Sequence, residues 1–256
     1  MKLLSITILS ILALPSISRA QTTWNSDTAL VLEKGTLETG LFEYSHFGIG
    51  KGMEIGTHPL MFFVSPQVWI KKQWKKSKRL ALSTKHGINI PTGLMKILSR
   101  EGTGGIYPAD SEIPIIFSHF HEGTISLKLP LKTLLSLTME FSNSLQFGKS
   151  SFPTIDLPLI YTRTSHFYGK QVSFRAGMDI QGQLGKNFLW LIDFNLFYMP
   201  GYSNQKTMEH KGALRYSFCH MKYFFTAGYI YIHGEYPFGN QSHIIPFADF
   251  GMRFDL

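Results

Sequence analysis

The sequence predicts an all-β chain: a transmembrane antiparallel β-barrel of about twelve strands behind a cleaved signal peptide. Three observations lead there. First, apolar and polar residues alternate along many segments of roughly 9 to 11 residues, the length a tilted strand needs to cross a bilayer core. Second, that alternation runs to the final residue, as suits a barrel whose last strand pairs with its first. Third, the chain opens on an export signal, yet nothing after it is long and apolar enough for a membrane helix.

The pattern is clearest at Tyr168 to Gln181. Tyr168, Val172, Phe174, Ala176, Met178 and Ile180 fall on one side; Gln171, Ser173, Arg175, Gly177, Asp179 and Gln181 fall on the other. Successive side chains of a strand point to opposite faces, so one wall is greasy and the other wet.

In chain order, Met1 to Ala20 reads as the signal. Lys2 gives a positive start, Leu3 to Leu14 is apolar or small, Pro15 breaks the run, and Ser18 and Ala20 supply small residues at the cleavage site. Residues 21–36 read as a lead-in, partly extended through Ala29 to Leu32, and the barrel is expected over 37–256. Leu37 to Phe47 and Met53 to Thr57 read as a hairpin around Gly48, Gly50 and Gly52. Leu60 to Lys72 follows as a strand showing Val68 and Ile70 on one face, and Gln73 to Arg79 as an exposed basic loop.

Leu80 to Asn89 alternates again, with Leu82, His86 and Ile88 against Ser83 and Lys85. Residues 91–112 break the rhythm: Leu94 to Leu98 suits a helical turn or two, and glycines and Pro108 follow. Long segments of this kind are often functional, so Leu94, Arg100, Glu101, Asp110 and Glu112 are candidate constriction or plug residues. Ile115 to Lys128 is a less regular strand. In Leu135 to Ser142, Glu140 falls on the polar face. Ile155 to Thr162 is a weak strand, interrupted by Pro153 and Pro158.

In Phe188 to Tyr198 the apolar Trp190, Ile192, Phe194 and Leu196 oppose Asp193 and Asn195; in Met208 to Phe218, Leu214 and Tyr216 oppose Arg215. Phe224 to His233 is apolar on both faces, so its outer side cannot be assigned from pattern, and Gly234 to Ser242 reads as a loop. Ala248, Phe250, Met252, Phe254 and Leu256 then alternate with Asp249, Gly251, Arg253 and Asp255.

The wet wall therefore offers Lys85, Glu140, Arg175, Asp179, Asp193, Arg215, Asp249 and Arg253 as lumen-lining candidates, where opposite charges can pair. Tyr168, Trp190, Tyr198 and Tyr216 lie toward strand ends, as interfacial girdles do. A soluble sandwich also alternates, but it does not call for charge along one wall and an aromatic belt on the other.

The ending resembles the C-terminal signature of bacterial outer-membrane proteins, which the barrel-assembly machinery reads. Those proteins usually finish on an aromatic residue, and this one finishes on Leu256. Leu32 to Gly35, Gly40 to Phe42, Phe47 to Ile49 and Met53 to Pro59 are similar to the opening of poorly characterised outer-membrane barrels. Among these are relatives of the putative transporter family of the meta-pathway of phenol degradation. The similarity covers Leu32 to Ile113; it implies fold and location, not cargo.

Chemical motifs are scarce. The sequence holds no Gly-x-Ser-x-Gly elbow, phosphate loop, His-Glu-x-x-His pair or zinc cysteine set, and its one cysteine, Cys219, cannot form an internal disulfide. His119 and His121 share a strand face beside Glu122 but lack a third placed ligand. Ser83 and His86 face apart, as do Ser118 and His119, so neither makes a nucleophile–base pair. No catalytic residue, cofactor or metal is expected.

The 256 residues carry 25 Lys and Arg against 17 Asp and Glu. Lys71, Lys72, Lys75, Lys76, Lys78 and Arg79 cluster, and in an exported β chain such a group suits acidic lipopolysaccharide or a membrane surface better than nucleic acid. The expected partners are outer-membrane lipid, lipopolysaccharide and the assembly machinery. The expected function is a passive channel or transport barrel for small solutes, with the four lumen cations favouring anions. A lipid-directed barrel enzyme and a non-conducting structural barrel are the alternatives.

Overall fold

The computed structural model describes residues 24–99, 101, 109–149, 172–198, 200, 206–220, 222–236 and 239–256. The signal region, the strand expected at Ile155 to Thr162 and the first residues of the Tyr168 segment lie outside them. Among the described residues, twelve strands close into one antiparallel barrel. They are β1 (Thr36–Gly40), β2 (Ser45–Gly50), β3 (Met53–Thr57), β4 (Gln67–Lys76), β5 (Leu80–Asn89), β6 (Ile115–Leu129) and β7 (Thr133–Phe147). After them come β8 (Val172–Leu184), β9 (Phe188–Tyr198), β10 (Lys206–Phe218), β11 (Tyr223–Tyr236) and β12 (Gly239–Asp255). A single short helix, α1 (Thr92–Leu98), follows β5. No helix of the described residues is long and apolar enough to cross a membrane.

Each strand pairs with its sequence neighbour, and β12 returns to β1 with Thr36 opposite Asp255 and Gly40 opposite Gly251. The short connections 51–52, 77–79, 130–132, 185–187 and 219–222 therefore gather at one end, together with the entry to β1 and the exit from β12. The long connection 58–66 and the described parts of 90–114 stand at the other end. Tight reversals have a local signature: Gly50, Lys51 and Gly52 all carry positive φ, which two glycines make affordable.

The alternation read from sequence matches the two walls. Val68, Ile70, Leu137, Phe174, Met178 and Ile192 are exposed on the outside, while Ser136, Thr138, Asp179, Asp193 and Asn195 are buried inside. An apolar outer wall of this extent has no protein layer over it, and a closed barrel satisfies its backbone without water, so the fold is that of a membrane-spanning barrel. Phe188, Tyr216, Phe218, Tyr223 and Phe250 make a chain of ring contacts near the short-turn end, which forms an aromatic belt at that interface.

Three elements differ from the sequence reading. Residues 37–47 form two strands, not one, because Asp249 Oδ1 accepts the backbone N–H groups of Leu41 (2.9 Å) and Phe42 (2.8 Å) and turns the chain between them. Residues 60–66 are turn, and the sheet instead takes in Gln73 to Lys76, whose basic side chains had suggested a loop. The supposed loop 234–242 belongs mostly to β11 and β12, so the final strand spans 17 residues and contains Pro246. Proline fits there because β1 reaches only Gly251 to Asp255, leaving that stretch of β12 without a neighbour on one side.

Candidate functional site: a charged lumen floored by the N-terminal segment

A twelve-stranded barrel is wider than its own side chains can fill. Much of the space is taken by residues 24–32, which run as irregular backbone across the lumen near the short-turn end. Trp24, Ala29, Leu30 and Leu32 are all buried there. Ala29 and Leu30 pack on Ala81 of β5 and Leu134 of β7; Trp24 packs on Leu191 of β9 and Ala213 of β10, with Phe247 alongside. The inner face of β11 carries Phe224 near that end and Ile232 nearer the long-loop end, both buried, and Phe224 shares Arg215 with Trp24.

Irregular backbone inside a barrel needs partners for its polar groups, and the wall supplies them. Gln181 grips Trp24 at both main-chain groups, accepting its N–H and donating to its carbonyl. Ser126 Oγ accepts the Ala29 N–H at 2.8 Å, and Gln73 Nε2 donates to the Ala29 carbonyl at 2.8 Å. Glu54 accepts the Leu32 N–H at 2.8 Å, and Lys71 Nζ donates to the Asn25 carbonyl at 3.1 Å.

The cationic lumen candidates fall into two groups around this segment. In one, Arg215 lies 4.0 Å from the ring centres of both Trp24 and Phe224. Its guanidinium binds Glu38 at 2.7 Å and Glu43 at 2.6 Å, and Arg253 stands 3.7 Å from Glu38. In the other, Lys85 binds Glu122 at 2.7 Å while Arg175 binds Glu122 at 2.6 Å and Glu140 at 2.9 Å. Asp179 and Asp193 lie beside Asp27 of the N-terminal segment.

All eight lumen-lining candidates project inward, and Asp249 serves as the turn pin already described. The sequence reading did not place Glu38, Glu43 and Glu122 on the inner wall, where they pair with the four cationic candidates. It also placed Lys71 in the exposed basic cluster. In the structure Lys71 is buried against Glu54 at 3.3 Å. The signal was present: Val68 and Ile70 face out, so by strand parity Lys71 faces in.

The described part of residues 91–112 follows β5 at the long-loop end, where Thr92 and Met95 of α1 are buried. Glu101, Asp110 and Glu112 are exposed, Leu94 is half-buried beside Val64, and Arg100 lies outside the described residues. Thr92 ties α1 to the start of β6 by accepting the Ile116 N–H at 2.8 Å. The lumen is thus occupied by the N-terminal segment, while the described part of 91–112 sits at the rim.

Above the N-terminal segment a chamber of about 340 Å³ remains. Ser26 and Asp27 form its floor; Lys85, Arg175, Glu140 and Glu209 and the aromatic Trp69 and Phe120 form its walls. Gln67, Asn89 and Ser118 lie toward the long-loop end, so the chamber faces that end. Its volume falls within the range of small-molecule pockets.

Neither serine–histidine pair weighed from the sequence forms, although His233 Nδ1 and Ser242 Oγ lie 2.7 Å apart where β11 pairs with β12. Ser83 and Ser118 are buried inside, whereas His86 and His121 are exposed on the outer wall with their Nδ1 atoms 2.7 Å apart.

No family model matches the chain, so membership of the phenol meta-pathway transporter family is not shown, and no curated protein matches it. Solved barrels with a similar course include the outer-membrane protein OmpT of Vibrio cholerae, at 8% identity and TM-score 0.43, covering 82% of this chain and 63% of that one. An anion-selective porin from Comamonas acidovorans matches at 7% identity and TM-score 0.41, covering 82% of this chain and 56% of the porin. The CymD monoaromatic hydrocarbon channel matches at 7% identity and TM-score 0.37, covering 88% and 90%. The chain spans less than two thirds of the first two proteins. Likeness at this level leaves function to the chain's own geometry.

Proposed function

We propose that this chain is an outer-membrane barrel, exported behind its N-terminal signal, that admits small solutes into the lumen from the long-loop end. Passage requires residues 24–34 to leave the floor. The observation that carries this reading is how the floor is held. Its contacts are hydrogen bonds to side chains, the Arg215 and Lys211 contacts on the Trp24 ring and two small apolar clusters. One such hydrogen bond contributes only about 0.5–1.5 kcal/mol net, so the segment is held closed yet can be displaced without unfolding the wall.

In bacterial barrels the short turns face the periplasm, which puts the chamber on the cell-surface side and the floor on the inside. Lys75, Lys76, Lys78 and Arg79 then face the inner leaflet, and contact with lipopolysaccharide falls to the long-loop end. The alternating strand that ends on Leu256 is the surface for the assembly machinery.

The anion preference expected from the lumen cations loses its basis, because Lys85, Arg175, Arg215 and Arg253 each stand against a carboxylate. With residues 24–34 displaced, the remaining lumen charge includes Asp179, Asp193 and Glu209 against Lys211, so the opened pore should favour cations. Ser83 and Ser118 face inward while His86 and His121 face outward, so these residues form no nucleophile–base pair for a lipid-directed enzyme.

Planar-bilayer recording of the full mature chain and of a chain lacking residues 21–34 tests this reading. The full chain should rest closed with rare openings, and the shortened one should conduct steadily with a cation-selective reversal potential in asymmetric salt. Equal currents from two correctly folded forms would overturn it.

A further inference from the structure

The floor of the chamber has a feature that closure alone does not explain. Asp27, Asp179 and Asp193 each present a carboxylate oxygen, and the three oxygens lie within 4.8 Å of one another. Asp179 and Asp193 are directly opposed across β8 and β9, an arrangement that is destabilising for like charges. Both are buried.

A second observation points to a ligand at this spot. Asp179 is only 3% exposed, and its Oδ1 has no hydrogen-bond partner among the described residues. A buried carboxylate oxygen without a partner is costly. The nearest guanidinium does not meet the need: Arg175 is held by Glu122, Glu140 and the Asn195 side chain. Lys211 lies 5.3 Å over the Trp24 ring and 5.2 Å over that of Phe247. The Asn195 amide satisfies Asp193, at 2.8 and 2.9 Å, but it is neutral.

The geometry points to a binding site for one hard divalent cation, of the calcium class, held between Asp27, Asp179 and Asp193. Calcium takes oxygen ligands at about 2.3–2.6 Å, so oxygens on opposite sides of one ion stand roughly 5 Å apart at most. The three carboxylates meet that limit. The donor set is all oxygen, with neither thiolate nor imidazole, which selects calcium, magnesium or manganese over zinc or copper. Water from the chamber, which borders Asp27 and Asp193, completes the coordination.

Two ligands belong to the wall and one to the N-terminal segment, so the ion ties the floor to β8 and β9. Resting on the reading that this segment closes the lumen, the bound cation would hold the barrel shut and its removal would loosen the floor.

Titration calorimetry of the folded full mature chain in detergent, stripped with chelator and titrated with calcium alone and then manganese alone, tests the site. One ion per chain is expected, with affinity at least tenfold weaker in Asp179→Asn and in Asp27→Asn. The Asp27→Asn change lies outside the strands, so it leaves the wall intact and decides the matter if Asp179→Asn fails to fold. Absence of binding, as when the carboxylates share a proton instead, overturns the proposal; so does binding that neither substitution weakens. A parallel bilayer recording separates the two readings. Chelation that raises the current supports both, whereas calcium binding lost in Asp27→Asn with current unmoved by chelation keeps the site and refutes the closing role.

Discussion

At the scale of single residues, Arg215 ties two inward carboxylates together. It is 2% exposed, bound to Glu38 and Glu43, donating to Thr226, and flat between two aromatic rings. Removing it strands two inward carboxylates, and breaking a buried pair from one side costs about 3–5 kcal/mol. Arg215→Ala should therefore lower the urea midpoint of the detergent-folded barrel by that equivalent, with Arg215→Lys recovering part of it. Gly56 is a different kind of test. The Trp69 ring lies so close over it that a Cβ would collide with the indole. Gly56→Val should cost about 1–3 kcal/mol by overpacking, measured in the same unfolding series. Strand parity was enough to place Arg215, Asp179 and the other lumen charges on the inner wall. Their partners were not legible, because Arg215 and Glu38 lie 177 positions apart and meet only once the barrel closes.

At the scale of elements, the N-terminal segment decides what the barrel can do. The Ala29 N–H lies 2.8 Å from Ser126 Oγ, which puts the two residues in direct contact and makes them the pair to cross-link. In a Cys219→Ser background, Ala29→Cys with Ser126→Cys should abolish spontaneous openings when oxidised and restore them on reduction; a current unaffected by oxidation would show that the segment does not gate. The segment looked like a mere lead-in because Trp24 to Leu32 has neither helical nor strand periodicity. The clue was in β11, whose second apolar face brings Phe224 onto the Arg215 that Trp24 shares. The hairpin between β6 and β7 gives another test. Leu131 and Lys132 both hold positive φ, at 58° and 56°, where side chains on L-residues are disfavoured. Lys132→Gly should raise stability by about 1 kcal/mol, read as a higher urea midpoint with the conductance unchanged.

At the scale of the whole molecule, two apolar surfaces have to be kept apart: the outer wall, which meets lipid, and the small interior clusters, which meet the N-terminal segment. Alternation alone predicted the outer wall and the pairing of the last strand with the first. The positions of strand ends were less legible, since the turn at 41–44 depends on Asp249, more than 200 positions away. The four tryptophans report on the arrangement. Trp74 is 68% exposed on the outer wall, whereas Trp24 is 1% exposed inside. A full mature chain with Trp24 as its sole tryptophan, the others replaced by phenylalanine, can be folded into bilayers and its emission quenched from either side. The account predicts that neither brominated lipid chains nor aqueous acrylamide quenches Trp24 appreciably. Strong acrylamide quenching would place the N-terminal segment outside the lumen, and strong quenching by brominated chains would put it against the lipid; either result contradicts the account.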